Sequence, residues 1–295
     1  VSYVATIGFF DGVHTGHCFV LSSLKGIAQR TGLDAAVITF SEHPKKVLTG
    51  VAQPLLTVYD ERVELLKQQN LDQIFAFNFE VIRAFTAEEF MRILHNQCDV
   101  EMLLLGYDHH FGSDRLTQFA DYQAAADRVG LQLVQLPQNP ESAASSTKIR
   151  KALLAADIEA ANTLLGYSYS LTGEVVAGRQ IGRTIGFPTA NLQVAEDKLL
   201  PAAGVYEVAV VLPDGEHRAL LNIGTNPTVN SSDTIQDSQD AQPATSIELH
   251  IPSYEADLYG QRLTVRLLRY LRPERRFSSL DELREQISHD LASIQ

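Results

Sequence analysis

The chain is short of cysteine, of positive charge and of long apolar runs, and each shortage closes off a class of protein. Its 295 residues hold two cysteines, Cys18 and Cys98. They stand far apart and form no CxxC pattern, so a disulfide framework and a structural zinc site are both unexpected. The thiols read as free in a reducing, cytoplasmic setting. No apolar run reaches the roughly eighteen residues of a membrane-spanning helix, and nothing near Val1 has the form of a secretory leader. A chain opening on Val1 leaves room for native residues before it. Lysine and arginine number 24 against 36 aspartate and glutamate, for a net charge of −12 and a pI near 5.2. Such a balance argues against nucleic-acid and anionic-membrane partners, while a nucleotide site needs only local positive potential. There is no internal repeat. No GxxxxGK[ST] loop occurs, which excludes a Walker-type phosphate loop.

What is present is length and apolar content enough for two domains with real cores. The first half alternates apolar runs with helical periodicity. Val4–Ile7, Ala35–Phe40, Ile74–Phe77, Met102–Leu105 and Leu131–Leu136 read as strands. Helices are expected after residue 17 up to Gly32, over Tyr59–Gln69 with Val63, Leu65 and Leu66 inward, after an N-cap at Thr86, and from Ser145–Ser146 through Leu154. This alternation predicts a parallel, Rossmann-like sheet. Ligands of such a sheet bind beyond the strand C-termini.

The richest stretch lies at one of those ends. Gly8, Phe9, Phe10, Asp11, Gly12, Val13, His14, Thr15, Gly16 and His17 follow the first strand and open a helix. Glycines let a phosphate approach the backbone, and a helix start presents N–H donors and positive potential. Imidazoles at i and i+3 share a face of the first turn. The stretch therefore reads as a nucleotide-phosphate site in which His14 and His17 stabilise charge on a transferring phosphorus. His43, before Pro44 at the end of the second strand, reads equally as a site residue or a turn histidine. Gly106-Tyr107-Asp108-His109-His110-Phe111-Gly112 is a second glycine-bounded loop at a strand end. Ser145-Ser146-Thr147-Lys148-Ile149-Arg150 opens a helix. Hydroxyls cap helices, but Arg150 is a cation where cations are disfavoured, and a bound phosphate would resolve that conflict.

A helix over Asp157–Leu165 closes at Gly166, and the pattern then changes. Leu171–Val176, Val205–Leu212, Arg218–Ile223, Ser246–Ile251 and Leu263–Tyr270 alternate apolar and polar residues. They predict a small antiparallel β-barrel. A C-terminal helix over about 279–293 follows, with Leu280, Leu283, Ile287, Leu291 and Ile294 as its stripe. The expected domains are thus 1–155, a linker helix at 156–166, and 167–295. In the second half, Gly178-Arg179-Gln180-Ile181-Gly182-Arg183-Thr184-Ile185-Gly186 makes a plausible phosphate loop. Thr189 and Asn191, two apart, face the same way on an extended segment. As neutral oxygen donors they suit Mg²⁺ otherwise held by water and phosphate. Glu248 is a carboxylate in an apolar strand, which is costly unless used or paired. A catalytic base and an outward-facing glutamate are equally open there. Residues 230–244 are polar and acidic and read as a flap. Residues 272–276 read as a solvated turn.

These motifs resemble a known family. The run Phe10-Asp11-Gly12-Val13-His14-x-Gly16-His17 is similar to the FMN adenylyltransferase module of bacterial FAD synthetases, within the nucleotidyltransferase superfamily. The 106–112 loop resembles that module's second nucleotide motif, with Asp108 at the nucleotide position and His109 where Phe is usual. Ser146-Thr147-x-Ile149-Arg150 resembles the third, and His43-Pro44 falls at a place near the nucleotide. Gly186-Phe187-Pro188-Thr189-Ala190-Asn191 is similar to the riboflavin kinase signature, as are Asn222–Thr228, Glu248 and Asp257–Gly260. The resemblance is to the bifunctional riboflavin kinase/FMN adenylyltransferases. It implies an α/β nucleotidyltransferase domain followed by a riboflavin kinase-like barrel. Riboflavin, FMN, FAD and ATP are the implied ligands, ATP as co-substrate with Mg²⁺. It implies charge stabilisation by His14, His17 and Arg150, and a base at Glu248. Gly8, Phe10, Asp11, Gly12, Gly16, His43, Gly106, Asp108, Ser146 and Thr147 would bind nucleotide in the first half, and Gly178, Gly182, Arg183 and Gly186 in the second. Two rivals fit the residues: nucleotidyl transfer to another phosphorylated acceptor, and a barrel that binds flavin or RNA without turnover.

Overall fold

The computed structural model describes residues 1–106, 109–137, 144–178, 186–225, 245–254 and 256–294. Its compact units are Val1–Ser146 and Thr147–Gln295.

The first unit is a five-stranded parallel sheet in the order β3-β2-β1-β4-β5. The strands are β1 (Tyr3–Ile7), β2 (Asp34–Phe40), β3 (Gln73–Phe77), β4 (Val100–Leu105) and β5 (Gln132–Gln135). Between them run α1 (Thr15–Thr31), α2 (Pro44–Thr49), α3 (Tyr59–Lys67), α4 (Phe79–Ile82), α5 (Ala87–Cys98) and α6 (Phe119–Val129). Strand side chains alternate between two apolar layers. Ala5, Ile7, Ala36, Ile38, Leu103 and Leu105 pack with Phe90 and Met91 of α5 and Ala125 of α6. Val4, Val37 and Leu104 pack with Leu21 and Leu24 of α1 and Leu66 of α3. Gly32 ends α1 in the left-handed region at φ 72°, its N–H donating to Ala28 O. Thr86 caps α5 with Glu89 answering its own N–H, a reciprocal capping box. The helix over 119–129 was not read from the sequence, because its inward residues are mostly alanines.

The second unit begins with α7 (Ser146–Leu154) and α8 (Ile158–Leu165); α7's first residue, Ser146, falls in the first unit. A closed antiparallel barrel follows, in the order β10-β7-β6-β11-β8-β9. Its strands are β6 (Ser170–Val176), β7 (Ala190–Val194), β8 (Gly204–Leu212), β9 (Gly215–Thr225), β10 (Thr245–His250) and β11 (Arg262–Arg272). Sequence reading found five of these six. It left β7 as an extended segment, since polar Asn191 and Gln193 alternate with a single deeply buried residue, Leu192.

The C-terminal helix α9 (Leu280–Ala292) covers Val205 and Leu220 with Ile287 and Leu291, joined by Ile294 just past its end. One expectation there is corrected. Leu280 is 58% exposed and leaves the stripe, while Asp290 is buried because Arg272 grips both its carboxylate oxygens at 2.7–3.1 Å. Residues 273–276 are exposed, with Arg275 paired to Glu282 and stacked at 4.8 Å on Phe277. Arg272, at the end of β11, fastens α9 to the barrel wall.

Candidate active sites

The first site grows from the end of β1. Gly8 donates its N–H to Ile38 O at 3.0 Å, and a Cβ there would stand 2.9 Å from the Phe10 ring. The chain then turns through three left-handed residues, Phe10 (φ 57°), Gly12 (φ 83°) and Val13 (φ 36°). For a β-branched residue such as Val13 this is a strained conformation. Asp11 is buried and its carboxylate is fully engaged. Leu56 N and Thr57 N donate to its two oxygens at 3.2 and 3.0 Å. Gly12 N donates to Thr57 Oγ1 at 2.9 Å, and the Ser146 hydroxyl donates to Asp11 O at 3.1 Å.

The turn delivers His14 as N-cap of α1, its Nδ1 accepting from His17 N at 3.4 Å. That bond leaves the proton of neutral His14 on Nε2, so Nε2–H is a donor. The rings of His14 and His17 stack, centroids 3.7 Å apart and 16° from parallel. Both are held neutral. Burial, opposed in part by Asp11, lowers His14 to about 4, and burial together with His14 keeps His17 well below its usual value. His17 Nδ1 is buried and has no hydrogen-bond partner among the described residues. Gly16 lies inside the first turn of α1.

His43 caps α2, its Nδ1 accepting from Lys45 N at 3.0 Å, and its ring packs 4.5 Å from Phe9. On Phe9 also lies a residue the sequence reading missed. The guanidinium of Arg62 sits 4.0 Å from the Phe9 ring centroid and donates to Phe40 O at 2.6 Å, with Arg62 fully buried. One signal was available, since Arg62 stands four residues before Leu66, on the apolar face of α3. Thr57 was missed as well, and nothing local marks it, its partners lying 45 and 46 residues away.

Beside this turn opens a cavity of about 440 Å³ whose walls include Phe9, Phe40, Phe79, Phe85, Phe90 and Phe111. His109 and His110 line it too. Behind Phe111, the Tyr122 hydroxyl meets Phe111 N and O at 2.9 Å and Leu116 O at 3.0 Å. Gly106 accepts from His109 N, while Asp108 lies outside the described residues. Thr147 is exposed and Arg150 half-buried on α7.

The second site lies on the barrel. Glu248 of β10 is in register with Asn191 of β7 on one side and Asn222 of β9 on the other. Residues paired across strands share a face, so the three side chains form one row, opposite the core-facing Ile247 and Leu249. Thr189 stands two residues before Asn191, just ahead of β7. Gly178 abuts Asn191, since a Cβ there would lie 2.0 Å from its Nδ2. His250 donates from Nδ1 to Pro188 O at 2.8 Å and is kept below its usual pKa by burial. A cavity of about 560 Å³ adjoins, lined by Pro188, Thr189, Leu249, Tyr254, Asp257 and Tyr259. Gly186 turns at φ 86°. Gly182, Arg183, Asn226–Thr228 and the expected flap at 230–244 lie outside the described residues.

A parallel sheet with paired imidazoles at its first helix start, followed by a closed barrel with a carboxylate–amide row, defines a two-part transferase of nucleotide phosphates. Comparison with known proteins makes this specific. Residues 2–149 match the FAD synthetase family and residues 165–295 the riboflavin kinase family. A bifunctional riboflavin kinase/FMN adenylyltransferase of Listeria monocytogenes is 33% identical, over 98% of this chain and 90% of its own length. One from Pseudomonas fluorescens is 34% identical, over 98% and 91%. A crystal structure from Streptococcus pneumoniae, described as a macrolide-efflux protein, superposes with a TM-score of 0.84 at 29% identity, covering 99% of this chain and 94% of that one. The chain belongs to the bifunctional riboflavin kinase/FMN adenylyltransferase family. It is an enzyme with both activities, FMN adenylylation in the sheet unit and riboflavin phosphorylation in the barrel.

Proposed function

We propose a residue-level division of labour for the two ATP-dependent steps. In the barrel, the ribityl 5′ hydroxyl of riboflavin attacks the γ-phosphorus of ATP. Glu248 accepts the hydroxyl proton as the new P–O bond forms and the bond to the β-phosphate oxygen breaks, releasing ADP. Asn191, in register with Glu248, and Thr189, just ahead of β7, offer hard neutral oxygens two residues apart, a donor set that suits Mg²⁺ and supports them as its protein ligands. When bound, the ion would neutralise phosphate charge. Among the described residues no cluster of histidine, cysteine and carboxylates offers another metal site.

In the sheet unit, a phosphate oxygen of FMN attacks the α-phosphorus of ATP and pyrophosphate leaves. The attacking oxygen is already anionic, so no protein base is required; positioning and charge stabilisation suffice. His14 and His17, neutral in the free enzyme, act as N–H donors toward the phosphates. The Ser146 hydroxyl anchors Asp11 O at the start of α7, and the resemblance of residues 146–150 to the family's third nucleotide motif supports Ser146, Thr147 and Arg150 as triphosphate contacts. The stacked imidazole pair at 3.7 Å carries this reading. The aromatic cavity beside it suits a flat tricyclic ring, and we place the isoalloxazine of FMN there. A cytoplasmic setting, where ATP is present and thiols stay reduced, fits Cys18 and Cys98, which form no disulfide.

The test is a pair of variants assayed by chromatography of products. Glu248→Gln should slow FMN formation by about 10²- to 10⁴-fold and leave FAD formation from added FMN intact. His17→Ala should do the reverse, by about 10²- to 10³-fold. Equal loss of both activities in either folded variant would refute the assignment.

A further inference from the structure

We propose that Thr57 is a positioning residue for adenylyl transfer, its hydroxyl clamping the glycine turn in the one conformation that aims His14 and His17. The inference rests on placing that reaction at the His14–His17 turn. Thr57 belongs to no motif, and its hydrogen bonds go to neither imidazole. It lies in the segment leading into α3, and its partners are Asp11 and Gly12, the residues just ahead of His14 in the strained turn.

The need for a clamp follows from the backbone. Phe10 and Val13 occupy left-handed conformations that side-chain-bearing residues leave unless their surroundings hold them. Cys18 N→His14 O and Val13 N→Phe10 O, both 3.0 Å, fix the turn from within. Leu56 N and the Ser146 hydroxyl tie Asp11 to the rest of the sheet unit, and Thr57 reaches both Asp11 and Gly12. Its Oγ1 accepts from Gly12 N at 2.9 Å and lies 3.4 Å from Asp11 Oδ1, to which it donates, while its own N–H donates to the same oxygen at 3.0 Å. Thr57 is 3% exposed and Asp11 5%, so water cannot take over these bonds. A hydroxyl alone can accept from Gly12 and donate to Asp11 at once. Valine has the same shape and can do neither.

Thr57→Val, Thr57→Ser and His17→Ala would be compared for FAD formation from FMN and ATP, with rates expressed per folded molecule. In Thr57→Val, kcat should fall about 10- to 100-fold, the equivalent of a buried donor losing its acceptor. KM for ATP should shift less than about threefold, because the triphosphate contacts remain and only the aim of the imidazoles changes. Thr57→Ser keeps the hydroxyl and should recover most of the rate. FMN formation should be unchanged in both. If Thr57→Val does not fold, the smaller Thr57→Ala takes its place with the same expectation. A purely structural role would lower the unfolding midpoint and leave kcat per folded molecule unchanged, which would overturn the proposal. So would a slow His17→Ala beside a full-rate Thr57→Val. A full-rate His17→Ala would overturn the site assignment itself, and this inference with it.

Discussion

Placing an alanine at Gly178 should separate the two activities by steric means alone. A Cβ at 178 would stand 2.0 Å from Asn191 Nδ2, 2.5 Å from its Cγ and 2.8 Å from its Oδ1. Ordinary van der Waals separation requires the amide to retreat by more than about 1 Å. The obstacle is the free end of a side chain rather than backbone, so the barrel should close as before while Asn191 rotates out of its row with Glu248. A displacement of about 1 Å in a group that positions the metal and its phosphates slows the step on the order of 100-fold, or about 2.7 kcal/mol in barrier. The assay is FMN produced from riboflavin and Mg·ATP, run beside FAD produced from added FMN. Gly178→Ala should lose about two orders of magnitude in the first and nothing in the second. A kinase rate within twofold of the unaltered enzyme would show that Asn191 does not hold the Mg²⁺ of the phosphates. A parallel fall in both rates would show that the effect is not local.

Two further outcomes concern the sheet unit. Arg62→Met removes a buried charge-assisted bond to Phe40 O and the stacking on Phe9. It should lower stability by about 3 kcal/mol, seen as a lower urea midpoint for the first unit; an unchanged midpoint would contradict the role given to the guanidinium. His14 makes stability depend on pH. Its folded pKa of about 4 lies below the ordinary 6.5, so between those values the unfolded chain takes up a proton that the folded chain refuses. Stability should therefore be greatest above pH 6.5 and fall as pH drops toward 4, by about 3 kcal/mol from this group. His17, depressed by the same burial, adds to the fall. His14→Asn keeps an N-cap acceptor without the titration and should flatten that slope in urea unfolding at stepped pH.

The alternation of strands and helices, the change of pattern after Gly166 and the His-x-Gly-His turn were all legible in the sequence, because each rests on spacing along the chain. Glu248 was legible as an ill-placed carboxylate, although its two-sided pairing with Asn191 and Asn222 appears only once three strands lie side by side. Thr57 and the aromatic cavity were not legible. The first acts through residues 45 and 46 positions away, and the second gathers phenylalanines from five segments, each of which reads locally as ordinary core. Asp11 was read as a nucleotide residue. Its carboxylate is engaged by the backbone of residues 56 and 57, a partnership that no sequence period encodes.

The barrel joins its first strand to its last. β6 lies against β11, and the hydroxyls of Thr172 and Thr264 meet at 2.9 Å across 92 residues. A ring closed at such long range has no end from which to fray. It also pays its loop-closure entropy before any of its long-range contacts count. The row of Asn191, Glu248 and Asn222 sits on strands away from that seam, yet its spacing exists only once the seam is shut. During refolding, phosphorylating competence should therefore return late and in one step, with the closure of that seam.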